Sequence, residues 1–235
     1  MTASTPTYED AHGEDPSSGI LRASVFGASD GLVSNLGVVV GVGAASASSG
    51  PVLVAGIAAL VAGAFSMAAG EYVSMRTQRE VLERELAVES DHIAEHPGEE
   101  EAHLAELLAD NGLDSATARH VAAEVHREQD AALEFHARFE LGIDPSSLGS
   151  PLGAAAGSFL AFVAGAAVPV VPYLFSAAAM LWAIVVSMVG LAGLGAWMTR
   201  FTGQRWWFGA GRQLVIGALA AAVTYGIGTA VGTAV

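Results

Sequence analysis

The chain has 235 residues, 52% of them hydrophobic, with 28 glycines and a mean hydropathy of +0.48, which is too apolar for an average soluble domain. Its formal charge of -14 sets 24 Asp and Glu against 10 Arg, with no lysine, and 18 of those acids lie between Arg76 and Asp144. So acidic an insertion argues against nucleic acid and anionic lipid as its partners, and the absence of cysteine removes disulfides, thiolate metal sites and cysteine nucleophiles together.

Residues 1–21 carry Glu9, Asp10, Glu14 and Asp15 with no Lys or Arg before Arg22. They lack the positive start of a secretory signal peptide and read as a disordered acidic tail. Five apolar stretches follow, at about 24–47, 52–70, 152–173, 174–199 and 209–233, each near the roughly 20 residues that a helix needs to cross the hydrocarbon core. The expected fold class is therefore all-α: a polytopic membrane protein with five transmembrane helices. Residues 22–75 hold the first two spans, 76–148 a polar helical insertion, and 149–235 the last three.

The arginines orient these spans. Arg22 precedes the first, Arg76 and Arg79 follow the second, Arg138 precedes the third, and Arg200, Arg205 and Arg212 fall between the fourth and fifth. The connections "AASASSGP" and "VPVVPYL" carry no charge. The positive-inside rule then puts the N-terminus, the insertion and the 200–212 loop in the cytoplasm and the C-terminus outside. Small residues four apart (Gly27 and Gly31, Gly37 and Gly41, Gly228 and Gly232) have the spacing of close helix packing in lipid, read here as packing within one bundle.

Two acids stand inside the apolar spans, Asp30 in the first and Glu71 at the end of the second. A carboxylate in a membrane faces a cavity, a partner or an ion pathway. Met67, one turn before Glu71, adds a thioether to the same face. Asp30, Met67 and Glu71 are therefore the candidate transport pathway, although Met67 taken alone reads more readily as core packing and Glu71 has the alternative of a wetted helix end paired with Arg76.

In the insertion the second span is expected to continue as one helix to about Glu95. "HPGEEE" ends it and starts a helix to about Asp110, and a last helix is expected from Ala116 to Leu141, before Gly142. The result is a three-helix cytoplasmic unit. Glu89 and His92 are i, i+3 on the first helix, Glu100 and His103 repeat that spacing on the second, and His136 and Glu140 are i, i+4 on the third. Carboxylate with imidazole suits Fe2+ or Mn2+, with Zn2+ and Co2+ as further ions of the same ligand preference. One such pair arises by chance on any acidic helix surface; three on successive helices point to metal. His96, His120 and His126 are left outside this ligand set and read as surface.

The stretches "SDGLVSNLGVVVGV", "AGAFSMAAGEYVSMRTQRE" and "FHARFELGI" resemble the vacuolar iron transporter family, and the likeness covers nearly the whole chain after residue 20. It implies a five-span homodimer that exchanges divalent metal for protons, with a cytoplasmic three-helix metal-binding domain between spans two and three. The family's domain ligands then fall on Glu89, His92, Glu100, His103, His136 and Glu140, and its membrane-pathway residues on Asp30 and Met67. Where the plant transporters have glutamates this chain has His92 and His103; where they have methionines it has His136 and Ala137; an acidic position of theirs falls on Ala59. A Glu and Met site is replaced by a Glu and His site, which makes metal binding more pH-dependent. The expected function is thus a divalent metal transporter, not an enzyme, moving metal out of the cytoplasm of a prokaryote or into a vacuole. Two other readings exist: a membrane-anchored ferritin-like di-iron oxidase, against which the short spacing of the two Glu-x-x-His pairs speaks, and a metal sensor, against which Asp30 speaks.

Overall fold

The computed structural model describes residues 16–46, 48–145, 148–175 and 179–234, and every described element is a helix. The acidic tail read as disordered lies outside the described residues as far as position 15. From there that reading is corrected, because α1 (Pro16–Ala45) already begins at Pro16, whose fixed φ and missing N–H suit the first turn of a helix. The chain then forms α2 (Ser49–Glu95), α3 (Pro97–Asp110), α4 (Ser115–Val125), α5 (Gln129–Phe139), α6 (Pro151–Val170) with a 3-10 turn at Val171–Leu174, α7 (Ala179–Thr202) and α8 (Trp206–Gly232). Five of these helices, α1, α2, α6 with its 3-10 turn, α7 and α8, are long and apolar enough to cross a membrane.

α2 has 47 residues, about 70 Å at 1.5 Å per residue, more than twice a hydrocarbon core of roughly 30 Å. Only part of it can lie in lipid. Beyond Val73 its sequence turns polar, and Arg76 reaches Glu80 and Arg79 reaches Glu83 one turn on, each at 2.7 Å. Two compact units divide at this point: Ser74–Gly149, and Ser17–Val73 together with Ser150–Val235.

In the apolar unit the helices meet through glycine. A Cβ on Gly165 of α6 would collide with the Ala28 carbonyl oxygen of α1, and one on Gly228 of α8 with the Gly41 carbonyl oxygen of α1. Such contact of backbones replaces the hydrophobic drive that is missing between helices in lipid. Between the crossings pack Val39, Val52, Val170 and Tyr173, and separately Ala64, Phe162 and Ala166. The outer faces stay apolar. Val54, Ile57, Val61 and Phe65 on α2 and Leu219, Val223 and Ile227 on α8 are exposed, and the apolar window of α8 is only 11% buried. A surface of that kind is at home against acyl chains.

The polar unit has a small core. Leu104, Ala105 and Leu108 of α3 pack on Ala118 and Ala122 of α4, with Phe135 of α5 beside them. Asp114 caps α4: its Oδ1 accepts from the backbone N–H groups of Ala116 and Thr117 at 3.0 and 3.2 Å, and its Oδ2 accepts from the Thr117 hydroxyl. One expectation is corrected here. The single helix foreseen from Ala116 to Leu141 is two, α4 and α5, interrupted at His126–Glu128. The Ala122 carbonyl accepts at 3.0 Å from both the backbone N–H and the ring Nδ1 of His126, a side-chain competitor that favours stopping the helix there, and Glu128 is extended at φ -127°, ψ 126°. The insertion thus holds the end of α2 and three further helices.

Two expected outcomes follow from this packing. Gly165→Ala should destabilise the detergent-purified protein by about 1–3 kcal/mol, as overpacking does, while Gly226→Ala, whose Cβ would meet nothing within 4 Å, should be nearly neutral in the same thermal melt. The Thr117 hydroxyl first, then the Thr117 and Ala116 amides, hold the Asp114 carboxyl below its ordinary value. Its contribution is present above the ordinary carboxylate pKa and lost as pH falls through the lower folded value. The melting difference between parent and Asp114→Ala should therefore be largest near neutrality and shrink in acid, with Asp114→Asn in between at neutral pH.

Candidate metal centre

The end of α2, the first turns of α3 and the end of α5 bring together the six ligand-type residues of the insertion. Glu89 and His136 form its inside: Glu89 is 7% exposed and His136 0%. His136 Nδ1 stands 2.9 Å from Glu89 Oε1 and 3.0 Å from Glu140 Oε2. Only the Glu140 oxygen lies in line for a hydrogen bond, so Glu89 Oε1 is buried, close to nitrogen and unbonded. Glu100 supplies a third carboxylate, and ligand atoms of Glu89, Glu100 and His136 all lie within 4.8 Å of one another. His92 Nδ1 is 3.9 Å from Glu100 Oε1, and His103 Nε2 is 3.4 Å from Glu140 Oε1. Both of these imidazoles are half exposed, so they stand on the rim.

Helical spacing explains the faces. Glu89 shares the inner side of α2 with Ile93, one turn on, which is 4% exposed. On α3, Glu100 is one turn from Leu104, whose burial against α4 turns that face inward. His136 is buried on α5 together with Ala132 and Ala137, and the ring stacking of Phe135 on Phe139 runs along the next face.

Electrostatically the cluster has an excess of negative charge. Three carboxylates face one buried imidazole, and His136 Nε2 is itself buried without a partner. Burial first, and the Glu140 charge second, hold the Glu89 carboxyl above its ordinary value; His136 opposes them. A buried carboxylate oxygen left without a donor costs free energy unless a cation or proton meets it. Oxygen and imidazole donors within a few ångströms are the donor set of a divalent transition ion.

His126 escaped the sequence reading, which placed it at the surface. Its Nδ1 is bound to the Ala122 carbonyl, its Nε2 is buried and unpartnered, and its ring meets that of His136 edge to face at 5.2 Å between centroids. Ten residues separate the two histidines, a spacing with no meaning on one unbroken helix; only the break at 126–128 gives it one. Glu85, Asp91, His96 and His120 are exposed.

In the apolar unit Asp30 is half-buried on α1, and Ser34 donates to its backbone carbonyl at 2.6 Å. Met67 is half-buried and packs on the Ala64, Phe162 and Ala166 cluster, which is the packing role open to it from the start. Glu71 is half-exposed one turn later. No hydrogen bond or ion pair among the described residues joins these three. Asn35, 1% exposed, donates from Nδ2 to the Ala166 carbonyl at 2.6 Å while its Oδ1 stays unpaired, and Gln213, 7% exposed, accepts from Ser29 at 3.4 Å. Neither was singled out from sequence; a lone amide in an apolar run was the available signal.

Five apolar helices and a helical unit carrying a converging Glu and His cluster define a multi-pass membrane protein with a candidate metal site. The family model of the VIT family matches residues 21–229. Vacuolar iron transporter 1 of Oryza sativa subsp. japonica is 35% identical over 217 residues, 91% of this chain and 86% of the rice protein. A vacuolar iron transporter of Acanthamoeba castellanii is 38% identical over 215 residues, 89% and 78% of the two chains, and vacuolar iron transporter 1 of Arabidopsis thaliana is 32% identical over 209 residues, 88% and 84%. The chain belongs to the VIT family, that of the vacuolar iron transporters. It is a family of transporters rather than of enzymes.

The Glu89 carboxyl gives a measurable sign. Because its folded pKa is raised, its charge opposes folding once pH rises above the ordinary carboxylate value of 4.5, with the full cost above the raised value. Metal-free Glu89→Gln should therefore melt at or above the parent at pH 7, and the gain should vanish toward pH 4. Adding Mn2+ should raise the melting temperature of the parent and leave Glu89→Gln nearly unmoved.

Proposed function

We propose that this protein transports divalent metal, Fe2+ foremost and Mn2+ beside it, out of the cytoplasm in exchange for protons. The observation that carries the reading is the convergence of Glu89, Glu100 and His136 around a buried, unpaired carboxylate oxygen. The names of the relatives, iron transporters over most of their length, support iron as the cargo. The arginines, clustered around the connections that the positive-inside rule assigns to the cytoplasm, support the direction.

In this reading residues 76–148 are a cytoplasmic capture domain. Its acidic field raises the local cation concentration, and Glu89, His92, Glu100, His103, His136 and Glu140 take up the ion, with the buried Glu89 and His136 at the centre. The ion then enters a membrane pathway that includes Asp30, Met67 and Glu71, and protons binding to the carboxylates release it on the far side. The working unit is a homodimer. The membrane is the cell membrane in a prokaryote and the vacuolar membrane in a eukaryote. Imidazole in place of carboxylate makes loading pH-dependent, since each ligating histidine must be unprotonated.

Flux into liposomes tests the scheme. Asp30→Asn keeps size and hydrogen bonding but loses the titratable charge; it should abolish proton-coupled metal flux while Mn2+ binding to the purified protein persists. Near-normal flux would give Asp30 a structural role. Glu89→Ala combined with Glu100→Ala should raise the half-saturating metal concentration about tenfold or more, the cost of losing two ligands, while maximal flux stays within about twofold of the parent. A collapse at saturating metal would make the cluster an obligatory station instead of a capture site.

A further inference from the structure

The charge of the chain is unevenly divided. From Pro145 to Val235 there is no Asp or Glu, while Arg200 and Arg205 flank the α7–α8 turn and Arg212 follows within α8. The acidity that argues against anionic lipid belongs to the insertion; this end of the protein has the opposite sign.

At that turn the helices leave an open cleft of about 720 Å3, lined by Trp197, Arg200, Gln204, Arg205, Trp206 and Trp207 among others. Arg205 holds its guanidinium carbon 5.1 Å from the centroid of the Trp207 ring. That ring fixes the position of the guanidinium but accepts none of its in-plane N–H bonds. Arg200 ends α7 in its last turn, and no carboxylate among the described residues pairs with either arginine. Trp197 with Phe201 and Trp206 with Trp207 form edge-to-face pairs around the same turn, all of them exposed. Indoles at the ends of spanning helices sit at the level of lipid headgroups, which puts this cleft at the membrane surface.

We propose that the cleft binds the phosphate headgroup of an anionic phospholipid. Two unpaired guanidiniums offer planar pairs of donors that match phosphate oxygens, Gln204 adds an amide donor, and the indoles flank the glycerol and the upper acyl chains. A metal ion is excluded by the charge of the lining. The α7–α8 turn is then tied to the bilayer surface by a bound lipid as well as by its own aromatic residues. This site lies in the apolar unit and does not depend on the metal centre or on transport.

Thermal unfolding of the full chain in a neutral detergent tests it, with dioleoyl phosphatidylglycerol, dioleoyl phosphatidylcholine or inorganic phosphate added at equal concentration. Phosphatidylglycerol should raise the melting temperature and the other two should not. Arg200→Gln with Arg205→Gln should weaken the apparent lipid affinity about thirtyfold, since each basic contact at such a surface contributes roughly fivefold. Arg212→Gln, outside the cleft, should retain the parent response. Should the double variant not be recovered folded, Arg205→Gln alone, followed by native mass spectrometry of retained phosphatidylglycerol, reads the same loss. An equal response to phosphatidylcholine, or an undiminished response in the Arg200 and Arg205 variants, would overturn the site. So would an equal loss in Arg212→Gln, which would make the effect one of net charge. A response to inorganic phosphate as large as that to the lipid would overturn the lipid as its occupant.

Discussion

A carboxylate oxygen buried 2.9 Å from an imidazole nitrogen, yet outside its hydrogen-bond direction, is the constraint around which the polar unit is organised. Glu89 cannot be solvated where it stands, and Glu100 and Glu140 add negative charge beside it. Folding without a cation accepts this cost; folding with one removes it. The helices that impose the arrangement are short, and their core is built largely of alanine and leucine, so little packing energy is available to offset a misplaced charge. Metal binding and the stability of this unit are thereby linked.

The apolar unit works under a different constraint. Helices in lipid gain nothing from hiding apolar surface, so α1 is held to α6 and α8 where glycines let carbonyls and backbones touch. That leaves side-chain polarity available for function: Asp30, Asn35 and Gln213 occur on the same close-packed helices. α2 contributes to both units, with Met67 and Glu71 in the apolar one and Glu89 and His92 in the polar one.

What could be read in advance follows from what repeats. Apolar runs of roughly 20 residues gave five spanning helices, and helical spacing gave the carboxylate and imidazole pairs, because both depend on neighbours in sequence. Burial within the cluster was not legible. Nothing local shows that Glu89 and His136 are buried where His92 and His103 are half exposed; the inner pair is selected by which faces of α2 and α5 turn toward α3 and α4. The break at His126–Glu128 was invisible for the same kind of reason, since no Gly or Pro marks it and a histidine ring competing for the Ala122 carbonyl accompanies it. With that break hidden, the approach of His126 to His136 was hidden too.

We propose that a divalent ion is bound by both oxygen and imidazole nitrogen at Glu89, Glu100 and His136. Pulsed electron paramagnetic resonance of Mn2+ bound to the detergent-purified protein reads it directly, because a coordinated imidazole nitrogen modulates the electron spin echo. The expected spectrum shows nitrogen modulation in the parent and a marked loss of it in His136→Gln, while His120→Gln leaves it unchanged. Mn2+ bound at full occupancy with no nitrogen modulation, or with modulation indifferent to His136→Gln, would contradict the assignment.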